Sequence, residues 1–184
     1  MKLIGNYKDW LKDEWIQYAI ENEGLPQPKY EFEVNDILTA IERGERAEFC
    51  EYQKKYADAG YDLNSLMYYI FDSSNFPFDI GIPPWITNYQ EGVSGTYYNL
   101  FKYHPGHILP IHSDRTTKFE KNCKRYWMSW KDYEEGHILI YDNKLIAPYS
   151  AGDVFEFTDP FATHGAANIG LSTRITFQFT IYDN

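Results

Sequence analysis

After Tyr97 the chain breaks into short runs of extended-type sequence, each stopped by turn residues, and this rhythm restricts it to a small set of folds. The runs cover residues 97–103, 107–113, 125–130, 137–141, 145–149, 153–157 and 173–181. Turn signals separate most of them, at Pro105-Gly106, Glu134-Glu135-Gly136, Asp142-Asn143, Ala151-Gly152 and Asn168-Ile169-Gly170. Many evenly spaced short strands close on themselves as a barrel or stack as a jelly roll, because either arrangement buries one face of each strand and protects the edges.

The first half reads differently. Residues 8–22 place Trp10, Leu11, Trp15, Tyr18 and Ala19 on one helical stripe, with Gly24 just beyond. Asn35 can cap a second helix carrying Ile37, Leu38 and Ile41 and ending near Gly44. A third, Ala47 to Ala59, carries Phe49, Cys50 and Tyr56 and stops at Gly60. These segments have the pattern of struts packed on a sheet. The segment 72–86, with Pro77, Pro83 and Pro84, reads as a loop or lid. The expectation is a single domain over 1–184, with 1–90 as helical support and loops and 91–184 as the β core. An aromatic fraction of 18%, with 17 Tyr, 12 Phe and 5 Trp, suits pleated sheets and pocket walls.

Charge narrows the partners. A formal net charge of −10 repels phosphate backbones and anionic membranes, so nucleic acid is disfavoured as a main partner. The local basic stretch Arg115, Lys118, Lys121, Lys124, Arg125 reads as a solvated loop. Cys50 and Cys123 are far apart, in no metal-like spacing, and read as small apolar residues rather than a disulfide. Met1-Lys2-Leu3-Ile4-Gly5-Asn6 turns polar too soon for a signal peptide, and no apolar run approaches membrane-spanning length. A soluble, cytoplasmic protein with no membrane partner is expected.

One run carries the candidate chemistry: His107-Ile108-Leu109-Pro110-Ile111-His112-Ser113-Asp114. Strand side chains alternate, so His112 and Asp114 point the same way, about 7 Å apart. A His-x-Asp triplet alone is a weak signal. It gains weight from His164, placed just after the run 153–157, where a barrel can bring it opposite. Two His and one carboxylate with open positions form the non-haem Fe(II) oxygenase arrangement. Arg174 lies ten positions after His164 and shares a strand face with Thr176 and Gln178. A guanidinium with a neighbouring hydroxyl suits a buried carboxylate; the plainer alternative is a pair with a structural Asp or Glu. His107 and His137 read as ordinary strand residues, and His104 could face a cavity.

The run Tyr103-His104-Pro105-Gly106 through His112-x-Asp114, then His164 and Arg174-x-Thr176, resembles the 2-oxoglutarate- and Fe(II)-dependent dioxygenases. Its layout is most similar to the prolyl-hydroxylase-like branch, and it spans residues 95–182. That resemblance implies an α+β, mainly β fold: a double-stranded β-helix, or cupin-like barrel, with N-terminal supporting helices. It implies Fe(II) on His112, Asp114 and His164. It also implies 2-oxoglutarate chelating the metal, with its far carboxylate on Arg174 helped by Thr176 and Tyr103. With O2 as oxidant, succinate and CO2 would be released and a C–H bond hydroxylated. Two departures concern the substrate: Gly136-His137 where many members have Gly-Gly, and Arg174 where some prolyl hydroxylases use Lys. The tail His164-Gly165-Ala166-Ala167-Asn168 also resembles aspartyl and asparaginyl hydroxylases.

The resemblance points to a Pro, Asn or Asp residue of a peptide or protein, or to a small amino-acid-like molecule, as substrate. Side chains expected near the mouth are Arg125, Trp127 and Trp130, with the 72–86 loop. Two other classes remain open. One is a cupin-like metalloprotein, an isomerase or a 2-oxoglutarate-independent oxygenase. The other is a non-catalytic barrel that only binds.

Overall fold

The computed structural model describes residues 1–27, 58–60, 65–66, 68–86, 93–112, 123–159 and 162–183. Its strands are β1 (Lys2–Asn6), β2 (Leu25–Gln27), β3 (Tyr68–Phe71), β4 (Val93–Tyr103), β5 (Ile108–His112), β6 (Cys123–Ser129), β7 (His137–Tyr141), β8 (Lys144–Leu145), β9 (Asp153–Glu156), β10 (His164–Asn168) and β11 (Arg174–Asp183). One α-helix, α1 (Asp13–Glu21), follows β1 and a 3-10 turn at Lys8–Trp10.

The strands form two antiparallel sheets. The larger has the order β1-β9-β6-β11-β4-β3-β2, the smaller β5-β10-β7-β8. From β4 onward the chain steps back and forth between sheets, except at the β7–β8 hairpin. The central order β9-β6-β11-β4 opposite β5-β10-β7-β8 is that of a double-stranded β-helix, the jelly-roll solution to the edge problem. The protein is mainly β, with one N-terminal helix among the described residues.

Alternation along β4, β6 and β11 divides the larger sheet into two unlike faces. On the outer face Leu100, Met128, Ile175, Phe177, Phe179 and Ile181 pack in one cluster with Trp15 and Ala19 of α1. Trp15 and Ala19 are one helical turn apart, which places both on the buried side. Asp13 and Glu14 open the helix, where carboxylates favour the exposed backbone N–H groups. Stacked rings tie the layers: Trp130 stacks on Trp15 at 6.0 Å and on Phe177 at 5.8 Å. Full burial of such side chains contributes roughly 1.5–3 kcal/mol each.

The helix is also fastened electrostatically. Lys102 of β4 is 1% exposed, and its ammonium donates to Ile20 O (3.0 Å), Asn22 O (2.8 Å) and Glu23 Oε1 (3.1 Å). Three donors meet three acceptors at the carbonyl end of α1, where a cation is favoured.

The structure corrects several sequence expectations. The 8–22 segment is a 3-10 turn followed by a shorter helix. The extended run expected over 145–149 stops at Leu145; Pro148, without an N–H, cannot continue a ladder. Strands β1, β2 and β3 extend the larger sheet where helices and loops alone were expected. Residues 72–86 form the expected loop but not a lid: Phe76, Ile80 and Trp85 are buried in the outer-face cluster. The helix expected at 35–44 lies wholly outside the described residues, and that expected at 47–59 does so except for residues 58–59.

Candidate active site

The inner face of the larger sheet looks across a cavity of about 180 Å³ to the smaller sheet. Antiparallel register arranges its side chains in rows: Tyr103 beside Arg174, Phe101 beside Thr176, then Asn99, Gln178 and Trp127, then Tyr97, Thr180 and Arg125. The first three of these rows contribute to the cavity lining, so Arg174, Thr176 and Gln178 share the cavity face, as their spacing indicates.

Across the cavity, β5 and β10 bring His112 and His164 side by side as Cα partners. Their ring centroids are 4.4 Å apart, and both line the cavity. His112 Nδ1 lies 2.8 Å from Pro110 O, and His164 Nδ1 lies 3.1 Å from Ala162 O. A carbonyl can only accept, so each Nδ1 is the donor in these contacts, and in that tautomer Nε2 is the nitrogen that a metal-binding imidazole presents. Phe157 buttresses the pair, edge-on to His164 at 5.7 Å. Gly165, between the bulged strands, leaves no spare room: a Cβ there would press on the backbone of Leu109 and Ile111. Asp114 lies outside the described residues, and among those described no set of three His, Cys, Asp or Glu side chains converges.

Arg174 lies in the first row, away from the Tyr97–Arg125 row. It is 1% exposed, and its Nε and both terminal nitrogens are buried without a hydrogen-bond partner. Its charge lies 5.1 Å from the Tyr103 ring and 5.8 Å from the Trp127 ring, which supplies only cation–π attraction. Burial pushes the Tyr103 phenol up to about 12, with Arg174 pulling the other way. The two groups are close enough for a polar contact, yet no hydrogen bond closes between them. Tyr103 therefore stays protonated, a donor beside a cation. No Asp or Glu stands among the described lining residues. An uncompensated buried charge costs several kcal/mol, so an anionic ligand has a strong electrostatic reason to occupy this end.

The wall near Arg174 is tightly built. Asn168, fully buried, donates to Tyr103 O (2.8 Å) and Ser172 O (2.7 Å), fixing the end of β4 and the turn into β11. Gly136 has φ +93° and no room for a Cβ, because the Ile169–Gly170 backbone packs directly on it. Buried His137 shares its Nε2 with Ser172 O at 3.2 Å. Burial lowers its pKa; the Ser172 carbonyl opposes this and the Arg174 charge adds to it.

Other sequence expectations fall elsewhere. His104 does not line the cavity: its Nε2 lies 3.1 Å from both carboxylate oxygens of Glu23, at the end of the helix segment. Trp130 faces the outer core, whereas Trp127 lines the cavity. Sequence reasoning passed over Asn99, although its parity with Phe101 and Tyr103 already assigned it the same face. Asn168 read as a turn residue and is the last residue of β10. A wider groove of about 550 Å³ beside Lys8, Asp13 and Asp132 holds no imidazole among its described lining.

No protein-family profile matches the chain, and no curated protein matches it. Solved structures do. A Pseudomonas putida prolyl-4-hydroxylase aligns with 50% of this chain and 55% of its own, at 16% identity and a TM-score of 0.43. A cupin 2 conserved barrel domain protein from Salinispora arenicola aligns with 63% of this chain and 76% of its own, at 15% identity and a TM-score of 0.37. An uncharacterized conserved protein with a double-stranded β-helix domain from Klebsiella pneumoniae aligns over 52% and 70%, at 18% identity and a TM-score of 0.37. The fold itself rests on the strand order of the two sheets.

Proposed function

We propose that this protein is a 2-oxoglutarate- and Fe(II)-dependent dioxygenase that hydroxylates a Pro, Asn or Asp residue of a peptide, or a small amino-acid-like substrate. The observation that carries the reading is Arg174, buried and without a hydrogen-bond partner in the same cavity as the adjacent His112 and His164. A dicarboxylate that also chelates a metal answers both features at once.

The residues fit the absent groups. His112, Asp114 and His164 would hold Fe(II), a donor set of two imidazoles and one carboxylate that leaves open positions. Arg174 would take the far carboxylate of 2-oxoglutarate, with Thr176 and the protonated Tyr103 as further donors. When bound, the pair supplies O2 activation coupled to oxidative decarboxylation, yielding succinate and CO2. The chain's own work is to fix the imidazole tautomers through Pro110 O and Ala162 O, to neutralise the co-substrate's charge, and to keep water from it with Trp127 and Phe101. A cupin-like isomerase or a silent barrel would have no co-substrate for Arg174 and Thr176 to hold.

The test is turnover without added substrate: 2-oxoglutarate, Fe(II), O2 and ascorbate with purified protein, following succinate. Succinate above background, abolished by His112→Ala, Asp114→Ala and His164→Ala, is expected. Tight Fe(II) binding with neither succinate formation nor a 2-oxoglutarate-dependent melting shift would refute the reading.

A further inference from the structure

The cavity holds a second unsatisfied polar feature, two rows from Arg174. Asn99 and Gln178 are Cα partners on β4 and β11, beside Trp127, and all three line the cavity. Asn99 Oδ1 is buried with no hydrogen-bond partner. Native proteins leave few such acceptors, and each calls for an explanation. Four residues of strand separate Gln178 from Arg174, about 13 Å. The Arg174 guanidinium reaches to 5.8 Å from the Trp127 ring, so a small dicarboxylate held there borders Trp127, and it is the carboxamides of Asn99 and Gln178 that are left to a second molecule.

The chemistry of the row selects that molecule. Its polar groups are carboxamides, each with a donor and an acceptor end and no charge. Among the described lining residues the only full-time charge is Arg174, and no carboxylate is present to meet an ammonium. A zwitterionic amino acid would bring its ammonium into a cavity that offers it no counter-ion. A substituted amide brings an N–H for Asn99 Oδ1 and a C=O for an amide N–H. Its apolar flanks meet Trp127 and Phe101.

We propose that Asn99 and Gln178 are the specificity-determining pair of this cavity, reading an uncharged amide of the substrate by complementary hydrogen bonds. Their assignment to a second molecule rests on the dioxygenase reading; the amide contact itself does not. Asn99 Oδ1 accepts from the ligand N–H, and the Gln178 carboxamide donates to the ligand carbonyl. A residue inside a peptide meets these requirements without an ammonium; the same residue as a free amino acid brings one.

The probes are N-acetyl-prolinamide and N-acetyl-asparaginamide against free proline and free asparagine. Binding is read by saturation-transfer NMR on the full chain with Mn(II) and 2-oxoglutarate, and a 2-oxoglutarate melting shift is recorded in parallel. Expected is binding of a capped amide in preference to its free amino acid. Asn99→Ala and Gln178→Ala should weaken it about tenfold, with the melting shift retained. Gln178→Glu, which keeps the size and adds a carboxylate, should move preference toward the free amino acid. Equal binding of free and capped forms, no binding of either capped amide, or capped-amide binding indifferent to Asn99 and Gln178 would overturn the proposal. If the wild type shows the amide preference but no 2-oxoglutarate melting shift, the dioxygenase reading falls and the amide row stands. A melting shift without amide preference removes the amide row alone.

Discussion

Two buried cations sit almost side by side in the β4–β11 ladder, on opposite faces of one sheet, and they are treated in opposite ways. Lys102 on the outer face gives its three N–H donors to Ile20 O, Asn22 O and Glu23. Arg174 on the inner face has three nitrogens buried and none hydrogen-bonded. Both are 1% exposed. The first is finished by the fold, because it fastens α1 to the sheet. Under the proposed function, the second is left for a ligand. Burial of a charge thus has two meanings here, separated by whether the chain itself supplies the acceptors.

The same substitution at both sites sharpens that contrast. Lys102→Met strips donors from two helix-end carbonyls and should cost about 2–3 kcal/mol in urea unfolding. Arg174→Met removes a charge that no described residue neutralises, so the ligand-free protein should hold its stability or gain about 1 kcal/mol or more. The Arg174→Met protein should lose its 2-oxoglutarate melting shift. Equal losses at the two positions would break the comparison. A smaller effect belongs to Tyr103→Phe: removing one donor beside Arg174 should weaken 2-oxoglutarate by about 0.5–1.5 kcal/mol, roughly tenfold at most, with folding unchanged. Isothermal titration of the wild type and variant checks it.

The smallest expected effect is on pH. His137 and His107 are held below their ordinary value of 6.5, by burial first in each case. A lowered histidine pKa means that the unfolded chain takes the proton first. These groups therefore leave stability flat above about pH 6.5 and withdraw it as pH falls below that value. His137→Gln should flatten this acid slope in urea midpoints measured across the range. A slope of the opposite sign would mean that His137 is stabilised as a cation.

Much of the β core was legible in the sequence, for a physical reason. In 97–103 and 173–181 alternate residues face different environments, so period-two patterning and face assignment are one fact. That is how Arg174, Thr176 and Gln178 could be grouped before any coordinates. Weakly patterned strands escaped: β1 is an exposed edge strand, and β10 is His-Gly-Ala-Ala-Asn, whose small residues fit between β5 and β7 but carry no strand signature. The apparent lid at 72–86 misled because prolines suggest a loop without saying which face its aromatics bury. Of the candidate ligands, His112 and His164 are adjacent, whereas Asp114 lies outside the described residues. His104 showed that a histidine near a barrel end can belong to a surface carboxylate instead.

The most direct measurement is anaerobic titration of the Fe(II)-loaded protein with 2-oxoglutarate, watching the visible metal-to-ligand charge-transfer band, for wild type, His164→Ala and Arg174→Met. Expected is a saturable band in the wild type, absent with His164→Ala and shifted to much higher 2-oxoglutarate concentrations with Arg174→Met. A wild-type protein that binds Fe(II) yet develops no band, or a band indifferent to Arg174, would contradict the assignment of this buried cation to the co-substrate.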